Sequence, residues 1–71
     1  MNVYFKEWVL ETIPKMKGNF TSQQVLEEIL KVQRNGHYVG NTRQIGYLLR
    51  LCDDCIQNGD RTWRNKNEEG N

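Results

Sequence analysis

Arg43, Tyr47 and Arg50 recur at intervals of four and three residues, the spacing that gathers side chains on one face of an α-helix. Arginine carries a planar, permanently charged fork of donors, suited to phosphate oxygens and to the paired acceptors on a guanine edge. Asn41 and Thr42 stand at the leading end of the same segment, and threonine can touch a thymine methyl or a phosphate. Gly46 lies in the middle of this face and lowers helix propensity by about 1 kcal/mol relative to alanine. A close approach of the helix backbone to a nucleic acid accounts for that loss, and so does close packing of another helix or chain. A solvated helix surface with two arginines is the plain alternative for the whole strip.

A second cationic group, Arg61, Arg64 and Lys66, lies near the C-terminus with Gln57, Asn58 and Asn65 as hydrogen-bonding neighbours. Asp60 stands among them and would repel phosphate, and it can also neutralise Arg61 in an exposed pair contributing only ~0–1 kcal/mol. Cys52 and Cys55 form the one spacing suggestive of metal or redox chemistry. A zinc site wants four ligands, a second cysteine pair is missing, and His37 is the single histidine. Reactive CxxC pairs sit at a helix N-terminus, which lowers the thiol pKa, whereas this pair falls at a helix C-terminus. Cys52 therefore reads as a core residue and Cys55 as a strand residue. One histidine, no nucleophile motif and no glycine-rich phosphate loop leave no catalytic constellation, so no enzyme activity, cofactor or small-molecule substrate is expected.

Seventy-one residues make one small domain, with little room for a deep substrate pocket. Much of the apolar content lies in Tyr4, Phe5, Trp8, Phe20, Tyr38, Tyr47 and Trp63, and a few aromatic side chains, burying roughly 150–250 Å² each, can supply most of a small core. No apolar run approaches the ~20 residues of a membrane span, and no signal-peptide pattern opens the chain. Two closely spaced cysteines fit a reducing compartment, so a cytoplasmic location is expected. The net charge is only +1, but it is unevenly placed. Residues 34–52 carry Arg34, Arg43 and Arg50 with no acid, whereas 53–71 are net acidic.

The elements that must position these groups follow from periodicity. Val3 to Ile13 reads as an amphipathic helix with Tyr4, Phe5, Trp8, Val9 and Ile13 on its apolar side, ended by Pro14. Thr21 with Gln24 forms a capping box, and Phe20 with Val25 a hydrophobic staple. They open a second helix running to about Val32 that buries Val25, Leu26, Ile29 and Leu30. Arg34-Asn35-Gly36 stops it, and Tyr38 and Val39 touch the core from the connector. Asn41 with Gln44 repeats the start signal for a third helix over about 42–53, apolar at Ile45, Leu48, Leu49 and Cys52. Residues 55–64 read as a β-hairpin turning at Asn58-Gly59, the strongest two-residue hairpin signal. That register opposes Gln57 to Asp60 and turns Ile56 and Trp63 inward together. Residues 1–65 form the domain, and 66–71 a polar tail without apolar anchors.

The order helix, extended piece, helix, helix, hairpin resembles the winged helix-turn-helix domains. The likeness spans roughly residues 3–65 and rests on element order and on the Thr-Ser-Gln-Gln and Asn-Thr-Arg-Gln helix starts. It implies a mainly α fold with a small β-hairpin, in the order α-β-α-α-β-β, differing from the usual pattern in a longer connection across residues 31–40. It further implies double-stranded DNA as partner and a role in transcriptional regulation, with the third helix in the major groove and the hairpin as wing. The residues expected at the DNA are Asn41, Thr42, Arg43, Gly46, Tyr47 and Arg50, with Arg34, Arg61 and Arg64. Lys31, His37 and the amides opening the third helix would add phosphate contacts. A single module buries only ~600–1,000 Å² on DNA, so a homodimer would supply a second half-site, with Tyr4 and Trp8 of the first helix as a candidate contact. The alternative is a protein-interaction module that uses the same fold without nucleic acid.

Overall fold

The computed structural model describes residues 2–32 and 36–66. Helix α1 spans Val3–Thr12 and passes into a 3₁₀ turn at Ile13–Lys15. Helix α2 follows at Ser22–Lys31, a second 3₁₀ turn at Gly36–Tyr38, and helix α3 at Thr42–Leu51. Strands β1 (Cys55–Gln57) and β2 (Trp63–Asn65) form an antiparallel hairpin. The fold is thus mainly α, with a winged-helix-like topology. Among the described residues no helix is long and apolar enough to cross a membrane.

The helix starts form as the side chains dictate. Thr21 Oγ1 accepts from the Gln24 N–H at 3.2 Å while Gln24 Oε1 accepts from the Thr21 N–H at 2.8 Å. Asn41 and Gln44 repeat the reciprocal pair, both bonds at 3.0 Å. Each box satisfies donors that a helix otherwise leaves orphaned. At α1 the Asn2 Oδ1 accepts from the Tyr4 N–H at 2.8 Å. Pro14 lies inside the turn after α1, where its missing N–H costs nothing.

Phe5, Val9, Val25, Ile45 and Leu49 are fully buried where the three helices meet, with Trp8, Ile13, Phe20, Ile29, Leu48 and Trp63 around them. Tyr38 and Val39 pack against this core from the connector. Two apolar positions depart from expectation, Leu30 and Tyr4. Leu30 is 48% exposed, because at 100° per residue it lies well past the Val25–Ile29 seam. Tyr4 is half exposed and stacks on Tyr38, ring centroids 5.0 Å apart, pinning the connector to α1. Trp8 is buried and so is not available as a contact between copies.

The hairpin differs from its expected register by three residues. Gln57 pairs with Trp63, Ile56 with Arg64 and Cys55 with Asn65, so residues 58–62 form the loop. An odd slip exchanges the two faces: Ile56 leaves the core side and Cys55 takes it. The reason is tertiary. Trp63 forms an antiparallel bridge with Phe20, both N–H···O bonds at 2.8 Å, which sets β2 between β1 and the extended residue before α2. Asn65, also buried, donates to the carbonyls of Ile13 and Met16 at 2.9 Å each. Those bonds satisfy the Met16 carbonyl and bring a second donor to the Ile13 carbonyl, which also accepts from the Met16 N–H at 3.1 Å. A tight Asn-Gly turn would forfeit these contacts. Helix α3 also ends two residues early: Cys52 is extended, and Asp53 and Asp54 lie in the turn before β1.

Candidate nucleic-acid interface

Arg43, Tyr47 and Arg50 are exposed, opposite Ile45, Leu48 and Leu49, which are buried. Helix α3 therefore presents its cationic strip outward because its apolar side is packed on α1 and α2. Asn41 is exposed and Thr42 half-buried at the start of the helix, and the Asn41 Oδ1 is engaged in the cap. Gly46 is half-buried against α2, where an added Cβ would stand 3.5 Å from Ser22 Oγ. That is an ordinary contact which an alanine could make, so packing against α2 does not by itself require the glycine.

Thr42 and Arg43 share an open depression of about 450 Å³ with Thr21, Ser22 and Gln23 from the start of α2 and with Arg61 from the hairpin loop. Two helix N-termini thus converge between two guanidinium groups. The amides of Ser22, Gln23, Thr42 and Arg43 have no intrahelical acceptor, and both helix dipoles favour negative charge here. Arg61 adopts φ 67°, a left-handed conformation uncommon outside glycine. The loop around it is tied down. Asn58 donates to Asn19 Oδ1 at 3.0 Å and to Thr62 Oγ1 at 3.1 Å, and its own Oδ1 accepts from Arg64 Nη1 at 2.7 Å. The Asn58 N–H closes the loop on the Thr62 carbonyl at 2.9 Å. Thr62 Oγ1 donates to Asp60, which holds that carboxyl below its ordinary range. Among the described residues Asp60 and Arg61 form no ion pair, so the expected mutual neutralisation does not occur.

Several expected contacts are placed elsewhere. Arg64 is half-buried and bonded within the hairpin, outside the depression. Asn65, expected as a surface hydrogen-bonding group, is buried beneath the end of α1. Lys31 pairs with Glu28 one turn back. His37 is exposed, Arg50 lies further along α3, and Arg34 falls outside the described residues. So do residues 67–71 of the expected tail, although the Lys66 N–H still donates to the Asp54 carbonyl at 2.8 Å. The chain alone does not mark Thr21, Ser22 and Gln23 as ligand contacts. Their signal was the capping box itself, which marks a helix start wherever the fold later carries it.

The cysteines are both free and half-buried. Burial, reinforced by a hydrogen bond with Cys52, pushes the Cys55 thiol up to about 12, so it stays protonated at neutral pH. Thiolate is the reactive form. Alkylation of Cys55 by iodoacetamide at pH 8.5, followed by peptide mass spectrometry, is therefore expected to run at least about a hundredfold slower than for an unfolded control. A native rate within tenfold of that control would show an accessible thiolate. Among the described residues no three His, Cys, Asp or Glu side chains come together as a metal site.

Comparison of the chain with protein-family models, curated proteins and solved structures finds no match, so the winged-helix likeness rests on element order and connectivity.

Proposed function

We propose that this chain binds double-stranded DNA and serves in transcriptional regulation, with α3 in the major groove and the β1–β2 hairpin as wing. The observation that carries the reading is the convergence of Arg43 and Arg61, far apart in sequence, on the joined N-termini of α2 and α3. One backbone phosphate seated there would meet two cations and up to four free amides. Such a contact fixes the approach of α3 and leaves Tyr47, Arg50 and Thr42 facing the groove, where base edges are read. Asp60 stays at the rim and limits how deeply the loop enters the DNA. A second copy would supply a second half-site.

Salt dependence tests this directly. Fluorescence anisotropy with a labelled random duplex should show affinity falling steeply between 50 and 200 mM salt, because each neutralised phosphate releases counterions. With three to five phosphate contacts the loss is expected to be on the order of 10²-fold. No binding at 50 mM salt, or binding that salt leaves unchanged, overturns the reading. The second reading, a protein-interaction module, is favoured by one observation: Leu10, Tyr47 and Leu51 leave an apolar groove open beside the cationic strip.

A further inference from the structure

Leu10, Tyr47 and Leu51 are 43%, 57% and 62% exposed, and all three line one groove of about 520 Å³ between α1 and the second half of α3. Leu48, buried, and Cys52, half-buried, form its floor, and Lys6 is its charged residue. Scattered exposed leucines are ordinary, but large apolar side chains converging above a buried leucine make a contiguous patch. Walls that protrude this far do not enclose a small molecule as ligand pockets do. They suit a surface that brings knobs of its own.

We propose that this groove is a self-association surface through which two copies of the chain pair about a two-fold axis, Leu51 of each copy entering the groove of the other. A two-fold contact requires a single patch to carry both complementary halves. Here Leu51 is the knob, and Leu10, Leu48 and Cys52 are the socket. The charges complement one another in the same sense. Asp53 and Asp54 are exposed two and three residues beyond the knob, and Lys6 lies in the socket. Among the described residues none of the three has an ion-pair partner within its own copy. Seating Leu51 in the opposite groove carries the two carboxylates toward the opposite Lys6. Each copy contributes few apolar side chains, so the interface falls near or below the ~1,200 Å² of stable complexes. Pairing is then weak and shows only at high protein concentration.

Sedimentation equilibrium of the full chain without DNA, from about 10 µM to 1 mM, tests this apart from any nucleic-acid role. The mass is expected to rise from 8.4 kDa toward twice that value and stop there. Leu51→Glu and Leu10→Glu, both at exposed positions and with circular dichroism confirming the fold, should each raise the dissociation constant at least tenfold. Lys6→Glu should weaken pairing several-fold, and adding Asp53→Lys and Asp54→Lys to it should restore pairing. A monomer at 1 mM, growth beyond the dimer, pairing unchanged by Leu51→Glu, or a triple variant as weak as Lys6→Glu would each overturn the proposal. So would a monomer whose groove binds an apolar dye that Leu51→Glu abolishes, since the surface would then serve another occupant.

Discussion

Gly40→Ala is expected to lower the stability of this domain by about 3 kcal/mol. An added Cβ would stand 2.7 and 2.9 Å from two ring carbons of Phe5, and closer still to Gln44 Oε1. Phe5 is fully buried, so its ring cannot retreat without disturbing Val9, Val25 and Ile45 in the same cluster. Overpacking of this kind costs about 1–3 kcal/mol. Displacing Gln44 breaks the reciprocal bond to the Asn41 N–H and weakens the cap of α3, adding roughly 0.5–2 kcal/mol. Small domains have few kcal/mol in reserve, so the melting temperature should fall by about 15 °C. Gly46→Ala is the control. Its Cβ meets only Ser22 Oγ, at 3.5 Å, an ordinary contact, and alanine raises helix propensity by up to about 1 kcal/mol. Its melting temperature should stay level or rise. Thermal unfolding followed by circular dichroism decides the matter, and equal melts for the two variants would mean the Phe5–Gly40 packing is not rigid.

Combining Arg43→Ala with Arg61→Ala should remove the largest share of DNA affinity available to a pair of substitutions. Each charged contact is expected to contribute ~1–3 kcal/mol. Because both side chains face one depression, their effects should couple rather than add independently. A combined loss on the order of 100-fold in anisotropy titrations is expected, with the salt slope reduced by about one per lost phosphate contact. Lys31→Ala serves as the comparison. It lies at the opposite end of α2 from the depression and is already paired with Glu28, so the change should be less than about twofold. If Lys31→Ala weakened binding as much as Arg43→Ala, affinity would reflect overall charge and not this arrangement of groups.

The features legible in the chain are those set by near neighbours. Thr21 with Gln24 and Asn41 with Gln44 complete their hydrogen bonds within four residues, so they announce helix starts whatever surrounds them. The outward strip of α3 follows from helical spacing alone, since Ile45, Leu48 and Leu49 can face the core only if Arg43, Tyr47 and Arg50 face away. Asn58-Gly59 is the instructive failure. Its local preference for a tight turn yields to the Phe20–Trp63 bridge and to Asn65 beneath Met16, partners 43 to 49 residues away along the chain.

What the sequence determined by itself, then, is where helices begin, which of their faces are apolar, and that a hairpin follows α3. What only the tertiary structure decided is which side chains from separate elements share one place. The register of β2, the meeting of Arg61 with the starts of α2 and α3, and the opening beside Leu51 all belong to that class. Each depends on long-range packing and backbone pairing between elements, which have no fixed spacing along the chain. Capping and amphipathic periodicity repeat at short intervals and can be read directly.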